Sequence, residues 1–308
     1  MNMKATREAL GDALIELGGK NKDIVVLDAD LAKSTYTEKF ALEFPDRFFD
    51  CGVAEQNMMS TAAGLASSGK IAYVGSFTIF TVGRAWDQLR NVVAYGNLNV
   101  KICPTHSGIS VGEDGSSHQP VEDVAMMRAL PNMKVIVPAD YYEAREAIRK
   151  ASEIPGPIFI RLGRPKVPLI YDDSYQFRFG RADVLREGKD VSIFAAGAMV
   201  SISLEAADML AREGIEAEVI NISMIKPLDE KTVLSSARKT GRVITAEEGS
   251  IIGGLGGAIA ELLGEKLPTP MKRVGLNDCF GTSGPYEELF EYFGLTAKNI
   301  AQAATTLL

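Results

Sequence analysis

Lys134-Val-Ile-Val137-Pro-Ala-Asp-Tyr141-Tyr-Glu-Ala-Arg-Glu-Ala-Ile-Arg-Lys-Ala-Ser152-Glu-Ile-Pro-Gly-Pro-Ile158-Phe-Ile160 decides the fold class. It reads as an apolar strand, a helix over Tyr141–Ser152 and a second short apolar strand. The same alternation extends toward the N-terminus. Strands are expected at Ile24–Leu27, Ile71–Val74 and Lys101–Cys103, with helices over Ala54–Ala66, Phe80–Tyr95 and Val121–Ala129. Earlier still, Thr6 is placed to cap a helix whose stripe is Ala9, Leu10, Ala13, Leu14 and Leu17, ending at Gly18-Gly19. Short β-rich runs alternating with helices imply a parallel sheet covered on both faces.

Working toward the C-terminus, the character changes over Gly163–Phe179. Pro165, Pro168, Tyr171, Tyr175, Phe177 and Phe179 lie there in a polar stretch without a period, which reads as an interdomain linker. A second α/β pattern follows, with strands at Val191–Ala195, Ala217–Ile222, Arg242–Ala246 and Met271–Leu276. Helices are expected over Val200–Arg212, Glu230–Lys239, Leu255–Leu263, Pro285–Phe293 and Thr296–Leu307. The fold class is therefore α/β, as two consecutive α/β domains over residues 1–165 and 181–308, joined by a linker at 166–180.

Composition narrows the function. A length of 308 residues suits about two domains. The net charge of -7 disfavours nucleic acid and anionic membrane surfaces as partners. No apolar run is long enough to span a bilayer, and Met1–Lys4 leads straight into a helical pattern without a signal peptide, so a cytoplasmic location is expected. Cys51, Cys103 and Cys279 are scattered, which excludes a disulfide framework or a cysteine zinc site. The two histidines, His106 and His118, exclude a His-rich metal cluster, and no metal ligand is assigned to this chain. There is no P-loop motif. The glycines of Gly249–Gly257 depart from the dinucleotide pattern at Ile259 and read as close helix packing. Gly281-Thr-Ser-Gly-Pro285 is not a nucleophile elbow, because proline replaces the final glycine.

The densest polar segment is Thr105-His106-Ser-Gly-Ile-Ser-Val-Gly-Glu-Asp114-Gly-Ser-Ser-His118-Gln-Pro120. It follows an expected strand and precedes a helix, with Pro120 expected at the first helical position. Both histidines and Asp114 thus fall beyond the carboxyl end of a parallel strand, where such sheets bind ligands.

This loop resembles the substrate loop of transketolases. Asp50-Cys-Gly-Val-Ala-Glu55-Gln56 is similar to that family's glutamate motif, and Gly75-Ser-Phe77-Thr-Ile-Phe80 to its aromatic segment. The likeness covers essentially the whole chain but only the later part of a full-length transketolase. It implies a thiamine diphosphate pyrimidine-binding domain followed by a transketolase C-terminal-like domain. The family's earlier domain, whose motif holds the diphosphate and metal, has no counterpart here. The resemblance therefore implies the C-terminal subunit of a split transketolase. Its expected partner is an N-terminal subunit that binds the diphosphate and a divalent metal such as Mg2+, in a heterotetramer. The implied reaction moves a two-carbon ketol unit from a ketose phosphate to an aldose phosphate. The second domain is expected to stabilise assembly rather than touch the cofactor.

Residue roles follow from the same resemblance. Glu55 is expected to face the pyrimidine nitrogen from an otherwise apolar pocket. Phe77 and Phe80 form its flat wall, although ordinary core packing explains them too. Gly83 stands where relatives often carry another aromatic. His106, His118 and Asp114 are expected to bind donor hydroxyls and carbonyl, the imidazoles exchanging protons near neutral pH. Arg164 is the expected phosphate grip, with Ser34 at the same end. Lys33 and Arg161 are nearby charges that a solvated surface explains equally. Asp30 matches an aspartate near the cofactor, and a strand-end turn explains it almost as well. Three alternatives stand beside this reading: a 1-deoxyxylulose-5-phosphate synthase-like half, a 2-oxoacid dehydrogenase beta subunit, and a non-catalytic assembly subunit. The histidine loop argues against the second, and the intact glutamate and paired histidines against the third.

Overall fold

The computed structural model describes residues 2–308. Its strands are β1 (Met3–Ala5), β2 (Ile24–Asp28), β3 (Phe48–Asp50), β4 (Ile71–Val74), β5 (Val100–Ile102), β6 (Lys134–Ile136), β7 (Ile158–Ile160) and β8 (Lys166–Pro168) in the first part of the chain. The rest carries β9 (Asp183–Arg186), β10 (Val191–Ala195), β11 (Ala217–Asn221), β12 (Met224–Lys226), β13 (Val243–Ser250) and β14 (Met271–Leu276). A seven-stranded sheet has the order β12-β6-β7-β5-β4-β2-β3, and a five-stranded sheet the order β14-β13-β10-β11-β9. Each is parallel apart from one edge strand, β12 and β9 respectively.

The β6–helix–β7 unit forms as its sequence implies. Asp140 caps the helix Tyr141–Ala151 by accepting the N–H of Glu143 at 2.9 Å, and Arg149 and Lys150 sit in the last turn, where cations suit the helix dipole. β2 shows why the larger sheet needs cover on both faces. Its Val25 and Leu27 join one apolar cluster, while Ile24 and Val26 join another on the opposite face. The first cluster continues through Phe194, Ile220 and Val243 of the second part, so the two parts share a core.

Several local expectations change. Thr6 is not the N-cap: Ala5 takes that position, its N–H held by Glu8, because the Thr6 hydroxyl instead accepts the N–H of Gly163 at 2.7 Å. The helix over Phe80–Tyr95 is broken, with π-helical turns at Ile79–Arg84 and Leu89–Ala94 around a short α-turn at Trp86–Gln88. The helix after the histidine loop begins at Asp123, leaving Pro120 outside it. The aperiodic stretch after Gly163 contains β8, which pairs antiparallel with β1. The glycines after β13 open the helix Leu255–Lys266, whose first amides are taken by Glu247: Leu255 and Gly256 each donate to it at 2.7 Å. β1, β3, β8, β9 and β12 were not expected. Among the described residues, no helix is long and apolar enough to cross a membrane.

Candidate active site

β2, β4 and β5 lie side by side, so their carboxyl ends release three loops to one edge of the sheet. The loops after β4 and β5 are stitched together beyond the strands. Thr105 donates its N–H to Ser76 O at 2.9 Å, and Thr78 donates its own to Thr105 O at 2.8 Å. Thr78 and Ser107 hydroxyls meet at 2.6 Å. This stitching fixes Phe77 against His106, ring centroids 3.8 Å apart. Phe80 lies 6.2 Å from Phe77, and its ring meets His118 edge-on at 5.2 Å. The two histidines therefore flank the two phenylalanines in one row. His106 takes a left-handed backbone conformation, φ 58°, uncommon for a residue with a side chain and characteristic of functional loops.

Glu55 opens the helix Glu55–Ser67 and is 2% exposed. The expected apolar pocket around it also holds a cation. Arg84, from the π-helical turn, donates to the Glu55 carboxylate at 3.1 Å and lies over the Phe80 ring at 4.6 Å. A buried carboxylate is costly without such a partner. Glu55, joined through Arg84 to the Phe80 ring, offers the residue types that the aminopyrimidine of thiamine diphosphate needs: a carboxylate for a ring nitrogen and neighbouring aromatic surface for the ring. Among the described residues, no group of three or more His, Cys, Asp or Glu side chains is placed to hold a metal ion.

At the other end of the row, His106 Nδ1 meets Thr105 Oγ1 at 2.8 Å, and Arg7 meets Nε2 at 3.4 Å. A guanidinium only donates, so Nε2 accepts and Nδ1 carries the proton toward Thr105. Burial, then the charges of Arg7 and Arg164, push His106 down to about 3. At that value it is neutral at pH 7 and presents a donor at Nδ1 and an acceptor at Nε2. Arg7 also donates to Ser34 O at 3.0 Å. The Ser34 turn is held by buried Asp28, which accepts from Thr35 at 2.8 Å, Thr37 at 2.9 Å and the Leu31 N–H at 2.7 Å. Burial raises Asp28 to about 6 against these bonds.

An open pocket of about 420 Å³ adjoins this end, lined by Arg7, Ser110, Glu113, Arg164, Tyr286 and Glu287. Arg164 is occupied within it, donating to Val111 O and pairing with Glu113 at 2.6 Å. Arg161 is not a solvated charge: it is buried and binds Asp123 at 2.7 Å, whereas Lys33 is exposed. Asp114 is exposed at the end of the turn Ile109–Asp114 and makes no side-chain hydrogen bond among the described residues. Asp30, with φ 62°, donates its N–H to Asp50 and makes no recorded contact with the histidine row.

Sequence reasoning missed Arg7 and Arg84. Arg7 left one signal: it sits in the first turn of a helix, where a cation opposes the dipole and needs another partner. Arg84 directly follows Gly83, the position that departs from the family pattern, but its reach to Glu55 depends on the π-helical turn.

Two family models match the chain: transketolase, pyrimidine binding domain, over residues 2–169, and transketolase, C-terminal domain, over residues 180–300. The 6-deoxy-6-sulfo-D-fructose transketolase subunit SqwH of Clostridium sp. is 47% identical, over 97% of this chain and 92% of its own length. A solved split-gene transketolase, described as an inactive beta4 tetramer, superposes with a TM-score of 0.91 at 50% identity, covering 99% of this chain and 98% of its own. Human transketolase is 38% identical over 99% of this chain, which spans 49% of it.

Proposed function

The chain belongs to the transketolase family, and from that premise we propose that it acts as the C-terminal subunit of a split transketolase. In this reading an N-terminal subunit joins it, two copies of each forming a heterotetramer. A two-carbon ketol unit then passes from a ketose phosphate to an aldose phosphate. Residues 1–165 form the pyrimidine-binding domain, 166–180 the linker and 181–308 the C-terminal domain. The diphosphate and its divalent cation, such as Mg2+, are assigned to the partner, in keeping with similar chains of about the same span, one a transketolase subunit and the other a split-gene transketolase. The proposed compartment is the cytosol, in keeping with three free thiols.

Dependence on thiamine diphosphate is a property of the family. When bound, that cofactor supplies an electron sink for breaking and forming the carbon–carbon bond. Glu55 would hold the proton shared with the pyrimidine ring nitrogen, and Phe80 and Phe77 would back the ring and exclude water. His106, held neutral, would accept a hydrogen bond from a donor hydroxyl at Nε2 once Arg7 turns to the phosphate. His118 and Asp114 would bind the remaining donor oxygens. Arg164 and Arg7, with Ser34, would grip the phosphate, Arg164 leaving Glu113 to do so. Asp30 is assigned near the cofactor on the motif alone.

The observation that carries this reading is the unbroken row Glu55, Arg84, Phe80, Phe77, His106, Arg7, Ser34, linking the cofactor end to the phosphate end. The experiment titrates thiamine diphosphate and Mg2+ calorimetrically into the chain alone and into the chain with its partner. Products are then assayed from xylulose 5-phosphate plus ribose 5-phosphate, and from pyruvate plus glyceraldehyde 3-phosphate. Binding only with the partner, and turnover of the first pair, is expected. Tight binding and sugar turnover by the chain alone would refute the half-site reading; turnover of the second pair instead would reassign the reaction.

A further inference from the structure

The loop bearing His106, Asp114 and His118 is gripped from the second part of the chain. Ser110 donates its N–H to Glu248 Oε1 at 2.7 Å. Ser283 Oγ donates to the carbonyl of Glu113 at 2.6 Å. Gln119 Nε2 donates both to Thr282 O at 2.8 Å and to Gly112 O at 3.0 Å, tying the loop's end to the same segment. Glycine makes these approaches possible. A Cβ at Gly108, which also has φ +73°, would overlap the Glu248 carboxylate, and one at Gly281 would overlap the Gln119 amide.

Glu248 is itself rigidly held. It is 7% exposed at the end of β13, and Arg161 donates to its carbonyl at 2.9 Å while lying 3.8 Å from its carboxylate. The same Arg161 binds Asp123, the first residue of the helix that follows the loop. Glu248 therefore reaches the middle of the loop directly and its downstream anchor through Arg161. The Gly281–Pro285 motif, unexplained as a nucleophile elbow, gains a purpose in bringing its backbone against this loop.

We propose that Glu248 is a positioning residue for the sugar-phosphate site, fixing residues 108–119 together with the Gly281–Pro285 segment so that His106 and His118 address one donor. Its substrate rests on the split-transketolase reading; its mechanical content does not. Hydrogen exchange on the free chain tests the mechanical part. Glu248→Ala is expected to speed amide exchange across residues 108–119 about tenfold, since it orphans the Ser110 N–H. Glu248→Gln, which keeps an acceptor there, is expected to recover most of the protection. In the enzyme assembled with its N-terminal subunit, Glu248→Ala is expected to raise KM for the ketose phosphate about tenfold. Its kcat and thiamine diphosphate affinity should stay within about twofold of wild type, and Glu248→Gln should restore KM. Unchanged exchange, or faster exchange with unchanged donor KM, overturns the proposal. So does an equal loss of donor and cofactor binding, which marks general destabilisation. If Glu248→Ala does not assemble, Glu248→Asp, which keeps the charge but shortens the reach to the Ser110 N–H, is read by the same criteria. A wild-type enzyme that transfers no ketol group refutes the functional reading, while the exchange result still decides whether the loop is clamped.

Discussion

Protonating His106 should destabilise this chain by an amount the structure sets. The side chain is 4% exposed, and burial with the charges of Arg7 and Arg164 moves it from 6.5 down to about 3. A depressed value means that the unfolded chain binds more protons than the folded one between these limits. The stability from neutral His106 is therefore complete above 6.5 and lost progressively as pH falls toward 3. At pH 5 the loss relative to pH 8 is about 2 kcal/mol. Buried Glu143 and Glu247, both raised to about 7 by burial, act with the opposite sign, adding stability as pH falls. They are common to wild type and His106→Gln, so comparing the two isolates the histidine. The assay is denaturant unfolding of both proteins at pH 8 and pH 5. Wild type should lose about 2 kcal/mol more than His106→Gln across that interval. An identical pH dependence would show that His106 is not held neutral, and the Nε2-acceptor assignment would fail with it.

Two further outcomes concern the proposed chemistry. Glu55→Gln in the assembled enzyme should cut kcat by about 100-fold or more, and turnover near wild type would remove Glu55 from the mechanism. Arg164→Ala should raise KM for phosphorylated donors about tenfold or more, as expected for a lost charge-assisted hydrogen bond. An equal rise for unphosphorylated sugars would show that Arg164 does not grip phosphate.

The alternation of strand and helix, both α/β parts and the histidine loop are legible in the sequence because each is written in local chemistry. An apolar run of four or five residues such as Ile24–Asp28, or a capped helix such as Tyr141–Ala151, is decided within its own window. The missed strands β1, β3, β8, β9 and β12 all lie at a sheet edge or in the two-stranded sheet, where no continuous apolar run is required, whereas the equally short β5, β6 and β7 lie inside the larger sheet and are written as largely apolar runs. The broken helix after Phe77 has the composition of an ordinary one, yet its π-helical turns aim Arg84 at Glu55.

His106, Asp114 and His118 are legible because a strand-end loop dense in polar groups marks itself, whereas Glu55, Phe77 and Phe80 are legible only through their resemblance to the family's motifs. Their environment was decided elsewhere. The neutrality of His106 comes first from its burial under the packed loops and then from Arg7, 99 residues away, and the fixed path of its loop from Glu248, 138 residues beyond Ser110. Such contacts obey no period and leave no local signature. They exist only because two sheets and a shared apolar core bring distant strand ends to the same edge, where burial makes each charge felt by its neighbours.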